Sequence, residues 1–318
     1  MEKKNRFNAL WTILRILVGI GLLAFLIGRL DVKEIFFHLK EMEVKYLGYA
    51  LIPYFLFILF STWRWQILLD YKKMNVHFRD SLIIYFIALF FNNFLPTTVG
   101  GDVMRVVYSM KNRKTDAVAI VLADRILGFI GLFIFGLFAV GYLYLFQGRS
   151  EFVLLMIIGL LILIFITFIL FSQRAYSIFA PMMLKIKIFR IGERINNLHK
   201  TMTEFGSAWG IIILCITQSL IIQGLLTFPP YLVLKGINNQ CELSILPFFV
   251  YLPIINVVSM IPISFNALGV RENAYVFLFR RVGLSGEVSI TVSLVSFFLI
   301  FLWSLLGGIF FIFYKKVE

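Results

Sequence analysis

Apolar residues gather in eight blocks along the chain, at about 10–28, 46–63, 82–95, 117–146, 152–171, 207–228, 245–261 and 288–314. Several reach the roughly 20 residues that a helix needs to cross a bilayer. A water-soluble protein has no need of a run such as Phe152–Phe171. The pattern predicts an all-α, polytopic membrane protein with about 6–8 transmembrane segments, organised as a single membrane domain over 1–318. The third and seventh blocks are short, near 14 and 17 residues, and each ends at a proline-glycine element. They are expected to be broken or re-entrant helices, near 82–105 and 245–272.

The first interruption reads Phe91-Asn-Asn-Phe-Leu-Pro-Thr-Thr-Val-Gly-Gly-Asp-Val-Met-Arg105. Asn92 and Asn93 close the apolar run. Pro96 lacks an N–H and biases Leu95 away from helical angles, so the helix stops there. Gly100 and Gly101 allow tight backbone geometry. Asp102 is a natural N-cap for a restarting helix, with Arg105 one turn later. The second interruption, Met260–Glu272, repeats the plan with Pro262, Gly269, Arg271 and Glu272. Two such breaks, one in each half, are compatible with an inverted repeat. They point to a midplane site built from paired broken helices. Irregular backbone in a bilayer is tolerated only where it is buried in protein or lines a polar cavity.

Three of the polar stretches between the blocks carry a pattern of their own. Over 29–45, Val32, Ile35, Phe36, Leu39 and Met42 share one helical face, with Lys33, Glu34, Lys40 and Glu41 opposite. This predicts either an amphipathic helix in the membrane interface or a helix packed on the protein. Arg64–Asp80 reads as a polar loop, opened by Trp63 and Trp65 at headgroup level. The linker 173–206 is basic, and Ile191, Ile195, Leu198, Met202 and Phe205 recur at helical spacing, as in an amphipathic cytoplasmic helix.

Composition agrees with the pattern. The chain is 60% hydrophobic and 15% charged, with the charges mostly between the blocks. Its net charge of +13 fits basic loops facing an anionic leaflet, not nucleic-acid binding. Lysines and arginines also bear on topology. With the N-terminus inside and all eight blocks crossing, and leaving out Arg15 and Arg125, which lie within blocks, they number 11 inside and 17 outside, against the positive-inside tendency. If the third and seventh blocks re-enter, they number 19 and 9; if only the third does, 20 and 8. Charge therefore supports the first hairpin more strongly than the second. Lys3, Lys4 and Arg6 precede the first block as in a signal peptide. That block is too long for a typical signal core and lacks a cleavage site, so a retained helix is expected. Two scattered cysteines and three separated histidines offer neither a disulfide nor a metal centre, and no cofactor is expected.

A charge at the centre of a bilayer costs about 2.5–3.5 kcal/mol on the gentlest scale. Asp102, Arg105, Asp124, Arg125, Arg271 and Glu272 therefore need partners or a ligand. Structural pairing, for example of Asp124 with Arg105, is one reading. The other is a phosphate site, in which Arg105 and Arg271 supply planar donors and the helix start at Gly100, Gly101 and Asp102 adds free N–H groups. Both can hold together. Asn92, Asn93, Gln218, Gln223, Asn256 and Asn266 either line a hydrated path or bridge helices. Neither a phosphate-binding Gly-x-x-x-x-Gly-Lys-Ser/Thr loop nor a Gly-x-Ser-x-Gly elbow occurs, so ATP hydrolysis by that loop and elbow-type acyl chemistry are not expected.

The block Phe94–Arg105, Asp124-Arg125-x-x-Gly128 and Ile261-Pro-Ile-Ser-x-x-x-Leu-Gly-Val-Arg-Glu272 together resemble the lysylphosphatidylglycerol synthase transmembrane-region family of flippase-like membrane proteins. The likeness extends over essentially the whole chain. It implies the translocating half of the two-part members, without their soluble aminoacyl-transferase, so no synthase activity is expected. Phospholipids and polyprenyl-linked glycolipids are the implied substrates. Carried over by position, the motif residues are Pro96, Gly100, Gly101, Asp102, Arg105, Asp124, Arg125, Pro262, Gly269, Arg271 and Glu272.

The expectation is a lipid translocase of a prokaryotic cytoplasmic membrane, with its N-terminus cytoplasmic. An anionic phospholipid or polyprenyl-phosphate glycolipid would be its partner, and a homo-oligomer is compatible. The alternatives are a membrane enzyme acting on a lipid phosphate, and an anchor for a separate glycosyltransferase or lipid synthase.

Overall fold

The structure, a computed structural model, describes residues 17–94, 100–110, 112–147, 152–173, 191–237, 243–261 and 263–314. Pro96, Pro262, Arg15, Cys241 and the first half of the basic linker lie outside these residues. The described chain is helical, without strands. Its elements are α1 (Leu17–Ile27), α2 (Val32–Lys40), α3 (Val44–Tyr71), α4 (Phe78–Phe94), α5 (Gly100–Ser109), α6 (Lys114–Gln147) and α7 (Val153–Phe171). There follow α8 (Ile191–Gly206), α9 (Trp209–Ile237), α10 (Leu246–Ser259), α11 (Val270–Phe279) and α12 (Gly286–Phe313). Helices α3, α6, α7, α9 and α12 are each long and apolar enough to cross a membrane, and α1 and α10 are shorter apolar helices. The chain is a polytopic α-helical membrane protein.

Both short blocks become helical hairpins. Gly101 lies against α4, where a Cβ would fall 2.2 Å from the Ala88 carbonyl oxygen. Further along α5, the Arg105 guanidinium lies 5.4 Å from the Tyr85 ring, earlier on α4. The chain has thus reversed direction. In the second hairpin, Phe279 at the end of α11 meets Phe248 and Tyr251 near the start of α10, with ring centroids 4.6 and 5.5 Å apart. Each hairpin sits between two long helices, in the order α3, α4–α5, α6 and again α9, α10–α11, α12.

Two readings change. The polar loop expected over 64–80 is helical as far as Tyr71. Its buried polar groups, Arg64, Gln66 and Lys72, find partners inside the protein. Gln66 Nε2 donates to Asp70 and Val76, its Oε1 accepts from Ser81, and Lys72 pairs with Glu204. Trp65, Leu68 and Leu69 bury the same stretch. Helix α9 likewise runs through Pro229 and Pro230, which the block ending near 228 had left outside. Membrane helices tolerate proline where neighbouring groups satisfy the freed carbonyls.

The chain sorts into two compact units made of discontinuous segments. The first comprises Met1–Phe57, Phe86–Gly101 and Gly224–Ile312. Here Leu26, Leu30 and Ile35 pack with Val276 and Ile290. Gly269 has φ +78°, and a Cβ there would meet the Gly19 carbonyl oxygen and Leu22 Cβ, each at 2.7 Å. Gly269→Ala combines a disfavoured φ with two contacts that cannot yield cheaply, so it is expected to lower the thermal midpoint by several degrees. A melting curve in detergent checks this; an unchanged midpoint would refute the packing.

The second unit comprises Ile58–Tyr85, Asp102–Gln223 and Phe313–Glu318. Its core joins Trp65, Leu68 and Leu69 of α3 to Ala117, Ile120 and Ala123 of α6 and to Met202 and Phe205 of α8. Met202 and Phe205 are buried, so this end of α8 packs on protein. Of the five long apolar helices, α6 is the most buried and α7 the least.

Candidate functional site

In the second unit, five formal charges converge from three helices. Asp124, on α6, is almost wholly buried. Its Oδ1 accepts from Arg64 Nε and its Oδ2 from Arg105 Nη2, both at 2.7 Å. Arg64 Nη1 also donates to Ser219 Oγ on α9, at 2.8 Å. Asp102 lies one turn before Arg105 on α5 and is 3.4 Å from its Nη1. The other Asp102 oxygen pairs with Arg125, whose side chain is 31% exposed and forms the open edge of the cluster. Trp65 and Tyr85 flank Arg105, with its Cζ 4.6 and 5.4 Å from their ring centroids. Each buried carboxylate therefore serves two arginines, which meets the requirement that buried ions be paired and hydrogen-bonded.

The restart at Gly100–Gly101 differs from the expected cap. Asp102 lies within α5 and not before it. The Gly101 N–H donates instead to Asn92 Oδ1, at 2.8 Å. An amide at the end of α4 thus serves a free donor at the start of α5. Asp102 is left available for its two arginines.

In the first unit, Glu272 is fully buried and accepts from several groups. Its Oε2 takes the Gly269 N–H at 2.6 Å, half of a capping box. Its Oε1 takes Arg271 Nε and Nη2, at 2.9 and 2.5 Å, and Ser293 Oγ at 3.3 Å. The Arg271 guanidinium also lies 4.4 Å from the Phe297 ring centroid. Its Nη1 makes no hydrogen bond among the described residues, and its side chain is 18% exposed.

The end of α4 meets the tip of the second hairpin in this same unit. Asn266 Nδ2 donates to Asn93 Oδ1 at 3.2 Å. Asn266 and Ala267 both have positive φ, +48° and +57°. Asn93, Gly100, Gly101, Gly269, Arg271 and Glu272 thus belong to the first unit, and Asp102, Arg105, Asp124 and Arg125 to the second. Gln218 is buried, and its amide lacks a partner among the described residues. Among the described residues, no group of three His, Cys, Asp or Glu side chains could hold a metal.

Sequence reading missed Arg64, Trp65, Tyr85 and Ser219. The available signal was the helical spacing of Trp65, Leu68, Leu69 and Lys72, which continues the apolar block into the supposed loop.

The protein is similar to the UPF0104 membrane protein PH1989 of Pyrococcus horikoshii, at 24% identity over 326 residues, covering 93% of this chain and 95% of that one. The model of the lysylphosphatidylglycerol synthase TM region matches residues 12–308, so the chain belongs to that family of membrane proteins.

Proposed function

We propose that the chain is a lipid translocase of a prokaryotic cytoplasmic membrane, moving an anionic phospholipid or a polyprenyl-phosphate-linked glycolipid between leaflets. The observation that carries this reading is the contact between the end of α4 and the tip of the second hairpin, at Asn93 and Asn266. Asn266 and Ala267, at the tip of the second hairpin, are irregular backbone with positive φ, and Asn93 is a polar residue at the end of α4. In hydrocarbon such backbone costs several kcal/mol per unsatisfied group, unless protein or a polar path surrounds it. A headgroup needs such a path, while its tails remain among the lipids.

In this reading, Arg271 takes the lipid phosphate through its unengaged Nη1, and Glu272 orients it. The N-terminus is cytoplasmic, and the lipid leaves chemically unchanged. Transport is downhill or ion-coupled, since the sequence carries no Gly-x-x-x-x-Gly-Lys-Ser/Thr loop of a nucleotide motor. A separate lipid synthase or glycosyltransferase supplies the substrate.

Reconstitution into vesicles containing a fluorescent anionic phospholipid tests the proposal. Transbilayer exchange should exceed that of empty vesicles. Arg271→Ala should slow it at least tenfold while the protein remains monodisperse, and Arg271→Lys should keep part of the rate. Exchange equal to that of empty vesicles would sink the translocase. Equal rates for wild type and Arg271→Ala would remove Arg271 from the path.

A further inference from the structure

Helix α2 is tied down at both ends within the first unit. The Asp31 N–H donates to Glu287 Oε1 at 3.3 Å, and the Glu43 N–H donates to the Gly236 carbonyl oxygen at 3.0 Å. Between these ties Ile35 is buried in a cluster with Val276 and Ile290. Met42, just past the helix, is buried as well and lies beside Gly236. The helix therefore cannot roll, and the fold sets which sides it turns outward. At 3.6 residues per turn, residues seven apart share a side. Val32 and Leu39, joined by Phe36, form an exposed apolar stripe, in which Phe36 is 68% exposed. Lys33 and Lys40 form the next stripe and are exposed. Exposed Glu34 and Glu41 stand opposite the apolar stripe. Ile35 and Met42 close the circle against protein. Phe37 is the one apolar residue of α2 on the polar side.

Four residues join α1 to α2, and three join α2 to α3. At about 3.5 Å per residue, α2 stays within roughly 15 Å of the ends of two apolar helices. That is the level where a bilayer meets water. There the layers run from acyl chain through phosphate to water, and the outward stripes of α2 run from apolar through basic to acidic. The same make-up recurs beside the Ile35 cluster, which also holds Leu26 and Val276. Arg29 Cζ lies 4.2 Å from the ring centroid of exposed Phe25, and Arg281 Cζ 4.7 Å from that of exposed Phe277. Each pair sets a basic head over an apolar ring that hydrocarbon can cover. We infer that α2 is a fixed interfacial wedge for anionic phospholipid. Val32, Phe36 and Leu39 lie among the acyl chains just below the headgroups, Lys33 and Lys40 take the phosphates, and Glu34 and Glu41 face water. This surface needs no transport and no headgroup at Arg271, so it stands or falls apart from the translocase reading.

The test places single nitroxide labels at Phe36→Cys or Glu34→Cys, in the full chain carrying Cys215→Ala and Cys241→Ala. Both labelled positions are exposed, so labelling leaves the packing intact. The chains are read in phosphatidylcholine nanodiscs with and without phosphatidylglycerol. The label at 36 should be more accessible to oxygen than to a water-soluble nickel complex, and the label at 34 the reverse. Phosphatidylglycerol should draw the label at 36 deeper. Lys33→Gln together with Lys40→Gln should cut that increment at least about fivefold, while the insertion in phosphatidylcholine remains. Equal nickel access at the two positions overturns the wedge. So does a label at 36 shielded from both agents, because protein would then cover it. No increment, or one undiminished in the double variant, overturns the lysines as phosphate ligands.

Discussion

Asp124→Ala is expected to yield protein that aggregates on extraction, under conditions where the wild type stays monodisperse. Asp124 is the only carboxylate among the described residues that bonds both Arg64 and Arg105. Removing it leaves two buried guanidinium groups with one remaining carboxylate partner, Asp102, which reaches Arg105 at 3.4 Å. Breaking a buried pair from one side typically costs about 3–5 kcal/mol, because the surviving charge stays desolvated. Here two charges survive, so the upper end of that range applies. Asp124→Glu keeps the charge and should recover part of the folded yield. Size-exclusion profiles of the three proteins check this. An alanine variant that elutes and melts like the wild type would show that the cluster is not structural.

Gly101→Ala is the second large effect. The added Cβ would lie 2.2 Å from the Ala88 carbonyl oxygen and 2.7 Å from the Asn92 amide. Ala88 O belongs to the backbone of a formed helix and cannot rotate away. Relief requires moving the start of α5, which breaks the Gly101 N–H bond to Asn92 as well. Overpacking of this kind costs about 1–3 kcal/mol, and the lost hydrogen bond adds roughly 1 more. The expected result is a lower thermal midpoint together with loss of lipid exchange. Hydrogen exchange localises the damage: α4 and α5 should lose protection before α10 and α11. Uniform protection would refute the assignment of Gly101 as the point of closest approach.

The apolar blocks were legible because hydrocarbon admits only long helices whose backbone bonds are internal. The two hairpins could be anticipated for the same reason, since proline and glycine at the end of a short apolar run leave few alternatives. The site was legible only in part. Asp124 and Arg125 stood out because they interrupt an apolar block. Arg64 did not, because it follows one and looks like the start of a loop. Its role depends on Asp124, 60 residues away in sequence, and no local pattern records that. The capping of Gly101 by Asn92 was hidden similarly. Asp102 is the better cap by residue type, but its oxygens are committed to arginines on α5 and α6. Tertiary pairing overrode local preference.

The tip of the second hairpin stores a small mechanical bias. Ala267 holds φ +57° next to Asn266 at +48°. Left-handed angles cost an alanine about 1–2 kcal/mol, and the turn keeps them only because its neighbours hold it there. One of those holds is the amide of Asn93, which belongs to the opposing hairpin. Parting the tips therefore releases a wound turn, and bringing them back must rewind it.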